Sequence, residues 1–91
     1  MSRVTPYAKR PRAKIAAYIK ACRLKAGVTQ GRVADALGYT SPQFISNWER
    51  GASIPPVHAL PVLKELIRLN PEKFISLYVE STEEMLRKRL K

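Results

Sequence analysis

The stretch "SPQFISNWERG", Ser41 to Gly51, decides how this chain folds. A serine followed by proline is a helix start: the hydroxyl can accept a hydrogen bond from an orphan backbone N–H, and proline suits the first helical position. Gly51 and the pair Pro55-Pro56 end what Ser41 begins, so a helix is expected over residues 42–49. On that helix Phe44, Ile45 and Trp48 fall on one face, and Gln43, Ser46, Asn47 and Arg50 fall on another. The apolar face is expected to dock and the amide-bearing face to stay open. Trp48 therefore reads as a core residue rather than a base-stacking one.

Toward the N-terminus, Gly38 closes a shorter helix capped by Thr29, with Val33, Ala34 and Leu37 as its buried face. Two short helices joined through Gly38-Tyr39-Thr40 make a helix-turn-helix. Before them, Ile15, Ile19 and Cys22 form one stripe of a helix over 13–26 that Gly27 stops. Residues 1–12, MSRVTPYAKRPR, carry Pro6 and Pro11 without helical period and read as a flexible basic arm. Beyond Gly51, a fourth helix is expected over 58–69, with Pro61 in its first turn and Leu60, Leu63, Leu66 and Ile67 inward. Asn70 and Pro71 restart the pattern, and residues 70–91 hold one helix or two, with a second cap candidate at Ser81 and Glu84. No strand alternation or internal repeat occurs. The expected fold is all-α, a compact bundle of about five helices divided into an arm (1–12), a helix-turn-helix domain (13–69) and a C-terminal helical segment (70–91).

Ninety-one residues allow one core. Seventeen Lys and Arg against seven Asp and Glu give a formal net charge of +10, which points to an anionic partner. Residues 1–50 hold ten basic and two acidic side chains, whereas residues 51–91 hold seven and five, so the excess lies in the N-terminal half. No acid precedes Asp35, as a surface facing phosphate requires. The composition of the start superficially resembles a transit peptide, a reading disfavoured because a DNA-contacting arm explains the same composition. No apolar run is long enough to span a bilayer, and a reducing cytoplasm suits the single cysteine, Cys22.

A helix laid in the major groove meets base edges with its N-terminal side chains, and a Gln or Asn amide offers the donor and acceptor that match adenine. Arginine does the same for guanine. The stretch from about Ile19 to Pro56 resembles the Xre/Cro family of phage and bacterial regulators, in "IKACRLKAGVTQGRVADALGY" and "ISNWERGASIPP". The resemblance implies a lambda-repressor-like helix-turn-helix that binds double-stranded DNA and regulates transcription in a bacterial or phage-infected cytoplasm, at the nucleoid. It also implies an ion pair between Arg23 and Glu49, and a Gln30 that touches a phosphate and braces a reading side chain. Gln43, Asn47 and Arg50 are the expected base readers. Thr40, Ser41 and Ser46 flank them, and Arg10 and Arg12, with Arg3 and Lys9, are expected along the backbone or in the minor groove, solubility being the plain alternative. Two features depart from the family. Gly31 either lets the sugar-phosphate chain approach or is a tolerated weak position. The stretch from Gly38 to Glu49 is one residue longer than in short-turn phage repressors, which affects the register at Ser41 and Pro42.

One histidine, His58, and one cysteine make no metal site, and no nucleophile–base–acid set points to catalysis or a cofactor. Cys22 reads as a small core residue, and Asp35 and Glu65 as solvated charges. The stripe near Leu77, Tyr78, Met85 and Leu86 either packs on the first and fourth helices or is shared with a second chain. A homodimer on a palindromic operator is expected, its half-sites about 34–36 Å apart. The rival is an antitoxin-like module that covers a protein partner and binds DNA for autoregulation. Binding of RNA is disfavoured for want of an exposed aromatic platform.

Overall fold

The computed structural model describes the backbone over residues 6–90 and side chains from Arg12 onward. The roles expected of Arg3, Lys9 and Arg10 lie outside the described residues and side chains. Five α-helices appear in order: α1 (Pro6–Ala26), α2 (Gln30–Leu37), α3 (Gln43–Arg50), α4 (Leu60–Ile67) and α5 (Pro71–Leu90), with a 3₁₀ turn at Val57–Ala59 before α4.

The helix starts follow from side chains. Thr29 Oγ1 accepts from the Arg32 N–H at 3.0 Å and opens α2. Asn70 Oδ1 accepts from the N–H groups of Glu72 and Lys73 at 2.9 and 3.2 Å and opens α5. The stops follow from backbone: Gly38 and Gly51 sit at φ 78° and 79°, left-handed conformations in which a Cβ is disfavoured. At Gly38 the turn returns Tyr39 to the scaffold, its N–H bonded to the Ala34 carbonyl at 2.9 Å. α4 stops differently, at Arg68, a non-glycine residue at φ 58°.

Three expectations about elements are corrected, and one left open is decided. α1 is already helical from Pro6, the first described residue, and does not wait for Ala13, so the boundary drawn between arm and domain is not a break in the backbone. Pro11 removes only the one bond that would reach the Tyr7 carbonyl. α3 runs over Gln43–Arg50 with Pro42 in the cap position, while Ser41 Oγ, one residue further out, accepts from Gln43 N–H at 3.3 Å. The fourth helix is shorter than 58–69, because Arg68 turns left-handed and Val57–Ala59 is 3₁₀. Residues Pro71–Leu90 form one helix, and Ser81 does not restart it. The Ser81 side chain is buried inside the helix, and its hydroxyl donates to the Tyr78 carbonyl at 3.0 Å.

The core gathers Ile15 and Ile19 from α1, Val33 and Ala34 from α2, Ile45 and Trp48 from α3, Leu63 and Ile67 from α4, then Leu69 and Phe74. Each large side chain removed from water there contributes about 1.5–3 kcal/mol. α1 is the hub, packed against α3, α4 and α5. Its i, i+4 isoleucines enter the shared core, and Lys14 reaches Glu80 of α5 at 2.6 Å. That hydrogen bond raises the pKa of the Lys14 amine. The helix-turn-helix is thus clamped from behind.

Candidate nucleic-acid interface

The turn between α2 and α3 sets the site. Ile45 and Trp48 are buried to 1% and 2% exposure, which fixes the rotation of α3 about its axis. Gln43 and Arg50 are then exposed and Ser46 and Asn47 half-buried, all on the side away from the core. Phe44 departs from expectation. It was placed with Ile45 and Trp48 on the docking face, yet it is 55% exposed. Successive residues are about 100° apart on a helix, so with the inward direction set by Ile45, Trp48 and Glu49, Phe44 falls on the flank.

The rear of α3 is held by an ionic clasp. Arg23 Nε donates to Glu49 Oε2 at 2.5 Å and Nη2 to Oε1 at 3.0 Å, a bidentate pair with side chains only 11% and 4% exposed. Arg23 Nη1 donates to the Val28 carbonyl at 2.9 Å, tying the same guanidinium to the end of α1. The Glu49 hydrogen bond raises the Arg23 pKa, against the opposing effect of burial. The pair implied by the family resemblance is therefore present. Gln30 joins it, donating through Nε2 to Glu49 Oε1 at 3.0 Å. Its amide nitrogen thus braces the clasp instead of a reading side chain.

On the open face, Asn47 Oδ1 accepts from Gln43 Nε2 at 3.1 Å and also from Arg50 Nη2. Both lone pairs of that oxygen are engaged. Gln43 keeps its carbonyl oxygen and one N–H, the pair that matches adenine N7 and N6. Bidentate reading by Asn47 requires its oxygen to be released first.

Around the start of α3, Thr29, Gly31, Arg32, Asp35, Thr40, Ser41 and Pro42 border a shallow cleft, so one acid faces it beside the Arg32 cation. Thr40, Ser41 and Arg32 are exposed there. The Ser41 hydroxyl hydrogen is not needed for its bond to Gln43 and can meet an anionic oxygen. Arg32 was not among the expected site residues, although it is the only cation in α2 and its sequence position opens that helix. Gly31 has room: an added Cβ would meet nothing closer than Thr29 Oγ1 at 3.8 Å. The site residues do not all converge. Arg12 Nη1 donates to the Ala52 carbonyl at 3.0 Å, its Nε is buried without a partner, and its Cβ lies under Gly51. It ties α1 to the turn after α3, away from the cleft bordered by Thr40 and Ser41.

Asp35 is exposed at that cleft, and elsewhere Glu65 is exposed and Cys22 is a half-buried free thiol packed against the core. His58 Nε2 lies 3.3 Å from the Tyr39 hydroxyl. Among the described residues, no cluster of His, Cys, Asp and Glu could hold a metal ion, and no helix is long and apolar enough to cross a membrane. A family model described as helix-turn-helix matches residues 19–73, more than half of the chain. No curated protein and no solved structure matches.

Proposed function

The chain belongs to the Xre/Cro-type helix-turn-helix family, and from that premise we propose that it is a sequence-specific regulator of transcription that represses by occupying an operator, with no catalytic step. The observation that carries this reading is the open polar face of α3. Gln43, Asn47 and Arg50 form one hydrogen-bonded row on a helix whose rotation is fixed by buried Ile45 and Trp48 and by the Arg23–Glu49 clasp. A preorganised row loses little freedom on binding. Gln43 reads adenine, Arg50 guanine, and Asn47 supplies donors between them. Ser41, Thr40 and Arg32 take phosphate oxygens at the cleft, and Gln30 supports them through Glu49. Arg12 acts in this reading as a positioning residue for the turn after α3. The basic N-terminal half supplies the nonspecific attraction.

The operator is a palindrome and the protein a homodimer that joins through α5. This helix leaves Ile75, Tyr78, Val79, Leu86 and Leu90 exposed along one side. Its acids Glu72, Glu80, Glu83 and Glu84 precede the basic last turn of Arg87, Lys88 and Arg89, with Lys73 in the first turn. Two such helices laid antiparallel about Thr82 bring Tyr78 toward Leu86 and Val79 toward Met85 of the other copy and cover the apolar stripe with its own counterpart, as a twofold interface must. A second copy is therefore favoured over a foreign partner of the antitoxin type. The cytoplasmic location belongs to the same reading.

Selection of bound sites from a random duplex library tests the proposal. Two inverted half-sites about 34–36 Å apart are expected. A library that yields no consensus, or tighter binding of single-stranded RNA than of any duplex, overturns it.

A further inference from the structure

Phe44 is the one large apolar side chain exposed on α3, and it is not loose. The Tyr39 ring lies against it, centroids 4.9 Å apart at a tilt of 50°. Tyr39 in turn meets buried Trp48 edge-on at 6.2 Å, and its hydroxyl lies 3.3 Å from His58 Nε2. Its backbone is returned to α2 through Gly38, as described above. Three supports thus hold the ring that backs Phe44. An aromatic side chain left half in water but held in this way has no purpose in the core. It follows Gln43 directly and precedes Asn47 by one turn of helix, so a partner met by those amides also meets this ring.

From this we infer that Phe44 is a specificity-determining residue that reads the C5-methyl group of a thymine next to the base pair met by Gln43. The inference rests on the DNA-binding reading and deepens it. The thymine methyl is the one apolar feature on the floor of the major groove, and contact with it is how an apolar side chain distinguishes A·T from the other pairs there. A polar flank beside Gln43 would contribute another hydrogen bond with its own geometry. An apolar flank instead asks for a methyl group at the neighbouring step, and the Tyr39 backing keeps the ring from folding away into solvent. The rotation of α3 sets which strand carries that thymine.

The test replaces each thymine of the selected operator, one at a time, by deoxyuridine, which lacks only the methyl group. Affinities are measured for the unchanged protein and for Phe44→Ala, whose fold is checked by circular dichroism and thermal unfolding. One thymine in each half-site should lose about fourfold in affinity on demethylation, the worth of burying one methyl group. The same replacement should have no effect on Phe44→Ala. A consensus with no methyl-dependent thymine, or a methyl dependence that persists in Phe44→Ala, overturns the assignment while leaving operator recognition intact. A library without consensus removes both together.

Discussion

At the scale of single residues, the Arg23–Glu49 clasp explains why α3 can hold a polar face outward on so small a core. Both partners are nearly buried, and Glu49 accepts from Arg23 twice and from Gln30 once, so its removal leaves a guanidinium in a poorly solvated place. Breaking one side of such a pair costs about 3–5 kcal/mol. Glu49→Ala should therefore lower the urea midpoint strongly, while Lys14→Ala, which removes an ion pair in which both side chains are more than half exposed, should hardly shift it. Equal midpoint shifts for the two variants would show that the clasp is not what seats α3. This pair could be expected from the sequence only because the family resemblance implied it; spacing alone gives no partner to Arg23 across 26 residues. The second engagement of Gln30 was not legible. A glutamine at a helix start suggests an anion, and only the packing of α2 on α3 shows that the nearest anion is the protein's own Glu49.

At the scale of elements, the helices were readable where local chemistry decides them and less so where packing does. Thr29, Asn70, Gly38 and Gly51 are caps whose effect is short-range, and each acts as its residue type suggests. Arg68 ends α4 in a conformation that no residue-level rule assigns to arginine, because burial of Leu69 draws the chain back and the Leu69 N–H bonds to the Leu63 carbonyl at 3.3 Å. Pro11 suggests a helix stop, yet the rest of α1 carries the helix past it. Phe44 was misplaced since a helical wheel drawn on hydrophobicity cannot tell a flank position from a docking one. Gly31 lies inside α2 with ordinary backbone angles and free space around its Cα. Gly31→Ala should raise stability by about 0.5–1 kcal/mol in thermal unfolding. A drop in duplex affinity in the same variant, alike for all sequences, would identify Gly31 as the place where the sugar-phosphate chain comes close; unchanged affinity would leave it a tolerated weak position.

At the scale of the whole molecule, α1 and the clasp make one rigid support for α3, while α5 extends 20 residues, about 30 Å, and keeps an apolar side uncovered. The sequence reading placed the shared surface near Leu77, Tyr78, Met85 and Leu86. In the fold Leu77 packs against the core, so the exposed stripe shifts toward Ile75, Val79 and Leu90. Which side of an amphipathic helix faces its own core is a tertiary fact. Leu86→Glu places a charge in that stripe and should convert a dimer to a monomer in sedimentation equilibrium while leaving circular dichroism unchanged; a wild-type chain already monomeric at tens of micromolar would remove the α5 interface. The claim on which all of this depends is that the outward row of α3 reads bases. Fluorescence anisotropy of Asn47→Ala and Gln43→Ala, each on the selected operator and on a random duplex of equal length, tests it most directly. Both variants should lose about 1–3 kcal/mol on the operator and almost nothing on the random duplex. Equal losses on the two duplexes, or none on the operator, would contradict the account.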